Sequence, residues 1–218
     1  MNPAANEIRS SARITKPPNA SPWTTHPVTV ERFSKECNDV ISYDLAFDDA
    51  SHAETFTFRP GQFNMLYVPG IGEAAISIAG RGWDGQSLRH SIRTVGSVTT
   101  ALAKGGVGMR LGLRGPFGSH WPVEAITDSP TPKDVVIVAG GIGLAPLRAL
   151  IEFFFQNRDQ VGRVSILLGA RTRSDLLYCD QWDRWREKDL QLEVTVDRAD
   201  RGWKGHVGVI TLLLERMQ

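Results

Sequence analysis

Residues 135–151 read VVIVAGGIGLAPLRALI, and this stretch decides the fold. A continuous apolar run, 135–139, gives way to Gly140-Gly141-Ile142-Gly143, and Pro146 then opens a helical stretch over 146–157. An uninterrupted apolar run of this length fits a strand buried on both faces in a parallel sheet. Glycines after it let the backbone turn sharply and let a ligand approach closely. The helix start aims free N–H groups and a partial positive charge at that ligand. Two readings stand side by side: a cradle for a pyrophosphate, or a turn that needs glycine for geometry alone. Pro146 occupies the place of the last glycine of a G-x-G-x-x-G fingerprint, so this is not that fingerprint.

Downstream the pattern continues as strand 164–170, helix 180–188 and strand 192–196, the start of a doubly wound parallel α/β domain over 133–218. Residues 135–155 are apolar enough to raise the question of a membrane span. Three glycines, Pro146, Arg148 and Glu152 interrupt them, and no membrane insertion is expected.

Upstream, TDSPTPKD at 127–134 marks a linker, placed at 123–132. Before it, short β-rich segments at 28–33, 40–47, 62–68, 74–79, 88–95 and 109–114 suggest an antiparallel six-stranded β-barrel over 25–122. One helix, 97–104, follows Gly96 and ends before Gly105-Gly106. Arg93 and the hydroxyl-rich start of that helix form a second candidate anion site, with a plainly capped helix as the alternative. Residues 1–24, rich in Pro, Asn and Ser and without a long apolar run, read as a mobile tail with no secretory signal. A cytoplasmic location is expected.

The composition narrows the functions. Among 218 residues, 25 Lys and Arg face 24 Asp and Glu, so no positive excess draws nucleic acid. An oligonucleotide-binding barrel has only the barrel in its favour. Cys37 and Cys179 are too few and too far apart for a disulfide scaffold or a four-thiolate iron-sulfur cluster, so no such cluster is expected on this chain. The five histidines lack metal-ligand spacing, and no metal site is expected. Trp182 and Trp185 sit at helical spacing and read as packing residues. Cys179 reads as half-buried packing, and the turn 203–208 as either structural or nucleotide-facing.

The order of motifs carries a family resemblance. Arg59-Pro60-Gly61-Gln62-Phe63, Glu73 to Ile78, Val95-Gly96-Ser97-Val98-Thr99, Gly115-Pro116-Phe117-Gly118 and Gly140 to Pro146 together resemble the ferredoxin-NADP reductase flavoproteins. Within them the chain is most similar to the diaphorase-type gamma subunit of cytosolic nickel-iron hydrogenases. The corresponding subunit of anaerobic sulfite reductase and the electron-transfer subunit of dihydroorotate dehydrogenase are similar too.

The resemblance implies a flavin barrel followed by a nicotinamide-nucleotide domain, with FAD at their junction. It implies that Ala75, Ile76 and Ser77 border the isoalloxazine, with the Ser77 hydroxyl near the flavin N5 as the catalytic contact. Ile92, Arg93, Gly96, Val98 and Thr99 would hold the ribityl and phosphate end. Gly140, Gly141, Gly143 and Pro146 would take the NAD(P)H pyrophosphate, Gly169 and Arg171 would face the same ligand, and Asp197 and Arg198 would lie near the adenosine ribose. NADH and NADPH both stay open, because Asp197 suits a free hydroxyl while Arg171, Arg198 and Arg201 suit a phosphate.

The function so implied is a flavin-dependent oxidoreductase and electron-transfer subunit. It would pass electrons from NAD(P)H through FAD to an iron-sulfur or hydrogenase-type partner. The alternative is a non-catalytic flavin-binding assembly subunit or a truncated remnant. Two departures stand out. Ala74 and Ile76 replace the family's Arg and Tyr at the flavin, and the family's further strand with Cys-Gly-Pro does not follow residue 216, so the nucleotide domain is expected to be incomplete at its C-terminus. The absent strand would have paired with 135–139, leaving that edge exposed.

Overall fold

The computed structural model describes residues 21–217 of the protein. The tail expected over 1–24 therefore lies mostly outside the described residues. Two sheets make the framework. The first is antiparallel: β1 (His26–Lys35), β2 (Val40–Phe47), β3 (Phe63–Val68), β4 (Gly72–Ser77), β5 (Gly80–Arg81), β6 (Leu88–Arg93) and β7 (Arg110–Phe117), in the order β4-β3-β7-β1-β2-β6-β5. Short helix α1 (Ala50–Thr55) and helix α2 (Ser97–Lys104) accompany it.

Seven strands stand where six were expected, because two residues after β4 the chain changes partner. Ile78 N–H still donates to Gln62 O beside β3, whereas Ala79 N–H donates to Arg89 O on β6. Only Ile78 and Ala79 separate the two edge strands, and a link that short reaches about 11 Å at most. The edges of the ladder must therefore lie side by side, which curls the sheet into a barrel. Val28, Leu45, Leu66, Leu88 and Leu113 fill its interior.

The second sheet is parallel, with order β11-β10-β9-β8: β8 (Val135–Gly140), β9 (Val164–Ala170), β10 (Leu190–Val196) and β11 (His206–Val207). Short helix α3 (Glu124–Thr127) falls inside the segment read as a linker, and Val123 before it is buried. Helix α4 (Leu144–Gln156) follows β8, α5 (Trp182–Glu187) precedes β10 and α6 (Thr211–Glu215) follows β11. The helix expected at 180–188 is split: a 3-10 turn, Cys179–Gln181, leads into α5, where Trp185 is fully buried.

The expectation that 135–139 is buried on both faces is overturned. Ile137 and Ala139 pack into the core, but Val136 and Val138 remain 48 % and 39 % exposed. Among the described residues β8 is an edge strand, paired only with β9, in line with the expected open edge, and the apolar run alone does not show that its second face stays uncovered. Cys179, expected to be half-buried, is exposed at the start of its turn. No helix among the described residues is long and apolar enough to cross a membrane.

Candidate functional site

The strand-turn-helix at β8 forms as expected, and the turn is open. Gly141 adopts φ +51°, a left-handed backbone that favours glycine, within a 3-10 turn from Gly141 to Gly143. A methyl group placed on Gly140 or Gly143 would meet nothing within 4 Å. On Gly141 its nearest neighbour would be the Arg93 guanidinium, at 3.7 Å. Helix α4 begins at Leu144, two residues earlier than expected, so Pro146 lies in its first turn.

The second cradle, at the start of α2, comes from the barrel. Thr99 Oγ1 accepts the N–H groups of Val95 and Gly96 at 3.0 and 2.9 Å, which fixes the entry of the chain. The N–H groups of the first helical turn have no partner within the helix and stay available to an anion. A methyl group on Gly96 would also meet open space. Arg93 leaves β6 between the two cradles, ion-paired to Asp39 at 3.1 Å. Its guanidinium end lies against the turn at Gly141, so strand β6, which leads into α2, borders the turn after β8. Such an arrangement suits two phosphate-bearing ligands.

Other expected residues contribute differently. Ala75 is exposed, Ser77 is half-buried, and Ile76 packs partly against the barrel core. Ile92 and Val98 belong to that core, and the buried Thr99 hydroxyl is spent on capping, so these three offer a ligand main chain rather than side chain. Gly169 is covered: a methyl group there would lie 3.0 Å from Ile210 Cβ, so this glycine serves close packing of the segment before α6. Arg171 pairs with Asp175 at 3.5 Å, and Asp197 is exposed just beyond β10. Beside them Thr172, Arg173, Ser174 and Arg198 line a hollow of about 790 Å³ at the carboxyl ends of β9 and β10. Of these four, only Arg198 was among the expected residues. A separate apolar cavity of about 480 Å³, touching Gly143, Pro146, Trp121 and Val138, runs along the open edge of β8. Trp203 donates its ring N–H to His206 O, which gives the turn at 203–208 a structural role.

No local pattern in the sequence marks the polar network behind Ser77. His90, fully buried, donates Nδ1–H to Ser77 O at 3.0 Å, and its Nε2 accepts from Asn64 Nδ2 at 3.3 Å. Burial pushes its pKa from 6.5 down to about 4, against the opposing pull of the Ser77 carbonyl, so the ring is neutral and its tautomer fixed.

Two further side chains bind the sheets together. Arg148 of α4, 6 % exposed, donates from Nη1 to Ala79 O and from Nε to Gln181 Oε1, both at 2.8 Å. Tyr178 donates its hydroxyl to Ser91 Oγ at 2.6 Å, and its N–H donates to Glu36. Burial drives the Tyr178 hydroxyl up to about 12, so it stays a donor at any physiological pH.

Among the described residues no group of three or more His, Cys, Asp or Glu could hold a metal ion. Residues 137–217 match the family model of the oxidoreductase NAD-binding domain. The chain is 31 % identical over 195 residues to sulfhydrogenase 1 subunit gamma of Pyrococcus furiosus, covering 88 % of this chain and 65 % of that one. It is 35 % identical over 158 residues to the "Probable dihydroorotate dehydrogenase B (NAD(+)), electron transfer subunit" of Archaeoglobus fulgidus, covering 72 % and 57 %. It thus spans less than two thirds of the length of these relatives. Among solved structures, the ferredoxin reductase in carbazole 1,9a-dioxygenase shares the fold with TM-score 0.70 at 24 % identity, over 88 % of this chain and 56 % of that one. The cytochrome b5 reductase domain of Ulva prolifera nitrate reductase does so with TM-score 0.68 at 18 % identity, over 86 % and 79 %.

Proposed function

We propose that this ferredoxin-reductase-like chain, whose residues 137–217 match the family model of the oxidoreductase NAD-binding domain, is a diaphorase-type electron-transfer subunit, binding FAD in the barrel (25–122) and NAD(P)H in the α/β unit (133–218). The observation that carries this reading is that Arg93, at the end of the strand leading to the open turn at Gly96, reaches the open turn at Gly141. Bound flavin would supply hydride acceptance from the nicotinamide and single-electron release to an iron-sulfur partner.

The residues present fit both groups. The first turn of α2, with Gly96 open, would hold the flavin phosphate end, and Arg93 would lend charge in place of the arginine absent at Ala74. Ala75, Ile76 and Ser77 would border the ring. Gly140, Gly141, Gly143 and Pro146 would receive the nucleotide pyrophosphate, with Arg171 and Asp197 towards its ribose end. The protein's contribution is alignment and exclusion of water at the junction. Kinship with sulfhydrogenase and dihydroorotate dehydrogenase electron-transfer subunits supports a redox partner subunit, which we take to be of iron-sulfur or hydrogenase type. Two free cysteines support a cytoplasmic setting.

The test is reconstitution with FAD followed by anaerobic stopped-flow mixing with NADH and with NADPH. We expect stoichiometric FAD and bleaching of its absorption by at least one nucleotide. Failure to retain FAD, or flavin that neither nucleotide reduces, refutes the proposal.

A further inference from the structure

A groove of about 990 Å³ lies between the barrel and helix α4 and contains none of the residues assigned above to flavin or nucleotide. Five arginines line it, Arg32, Arg81 and Arg89 from the barrel and Arg148 and Arg184 from the α/β unit, against Glu152 and Asp180 as its carboxylates.

The arginines differ in how well they are neutralised. Arg89 is held in a two-bond pair by Asp44, at 2.7 and 2.8 Å. Arg184 takes Glu152 in the same way, at 2.9 and 2.8 Å, and Trp185 also donates to that carboxylate. Arg148 is left with Glu152 at 4.0 Å, a carboxylate already engaged. Arg81 reaches only the carbonyls of Gln86 and Phe56 and lies over the Phe58 ring. Arg32 lies over the Trp83 ring. Among the described residues neither Arg32 nor Arg81 has a carboxylate within ion-pair distance.

Three under-neutralised guanidiniums, one of them buried, thus face one groove whose walls also carry Phe58, Pro60 and Phe153. A buried cation without a full counter-charge is unfavourable, and an anion that supplies one is attracted strongly because the surroundings screen poorly.

We propose that this groove binds a small organic oxyanion with at least two negative charges, bridging Arg32 and Arg81 of the barrel to Arg148 of α4. Guanidinium forks recognise carboxylate and phosphoryl oxygens alike, so both chemistries belong to the class. Occupancy would tie the two sheets together across the junction at a face separate from the glycine cradles. The inference stands whether or not the protein is a flavin reductase.

Isothermal titration of the full chain, saturated with FAD where it binds, uses citrate and pyrophosphate as probes at matched ionic strength. At least one should bind saturably. Arg81→Gln or Arg32→Gln should weaken it roughly tenfold each, while Arg110→Gln, outside the groove, leaves it unchanged. Citrate binding marks the carboxylate source and pyrophosphate the phosphoryl source; either supports the site when R32Q or R81Q weakens it. Arg32 is exposed, so R32Q keeps the test decisive if R81Q misfolds. Absence of saturable binding by both probes, binding that neither R32Q nor a folded R81Q weakens, or binding that R110Q abolishes overturns the proposal.

Discussion

His90 makes the chain acid-sensitive in a defined window. The unfolded chain takes up its imidazole proton near pH 6.5, whereas the buried ring in the folded protein resists protonation down to about 4. Above pH 7 both states are neutral there and the ring has no effect on stability. As pH falls from 6.5 to 4 the unfolded state binds the proton first, and stability drains away until both forms titrate. The full loss is roughly 3 kcal/mol, of which about 2 kcal/mol is reached by pH 5, still above the range of ordinary carboxylates. With a urea slope of about 2 kcal/mol/M this moves the unfolding midpoint by roughly 1 M. The comparison is His90→Gln, whose amide can donate to Ser77 O and accept from Asn64 but cannot titrate. Urea unfolding of both proteins at pH 7 and pH 5, followed by tryptophan fluorescence, should show the extra midpoint loss in wild type alone. His52, whose pKa burial also lowers, is common to both proteins and cancels. An equal loss in the two proteins refutes the reasoning.

Three further outcomes are expected. Gly143→Val fills space that is open in the structure, so FAD content should hold while the nucleotide-dependent reduction rate falls at least tenfold in stopped flow; unchanged reduction would remove the cradle from the site. Arg148→Met strips Ala79 O and Gln181 of their donor and should cost about 2–4 kcal/mol by denaturant titration. Tyr178→Phe deletes one buried hydroxyl contact to Ser91 and should cost about 1–2 kcal/mol, with near-native fluorescence at neutral pH.

The elements that local chemistry specifies were readable. The turn from Gly140 to Gly143, strand β9 and helix α2 formed where apolar runs, glycines and capping residues placed them. Other features were not, and β6 shows why. Its sequence, LRHSIR, alternates as a half-exposed strand should, yet Leu88 through Ile92 are all buried. Leu88, His90 and Ile92 point into the barrel, while Arg89 and Ser91 face Asp44 and Tyr178. A strand covered on its polar face by another part of the chain looks the same in sequence as one facing water.

The sequence by itself determined the two kinds of sheet, their order along the chain and the two glycine turns, because each depends on residues a few positions apart. Only the tertiary structure decided that Arg93 reaches the turn at Gly141, that Val136 and Val138 stay exposed, that Ile210 covers Gly169, and that Arg148 and Tyr178 hold the junction. The partners in these contacts stand between 33 and 142 positions apart where a hydrogen bond or close approach joins them. Pairings at that distance follow from how two packed sheets come together, which no local pattern encodes.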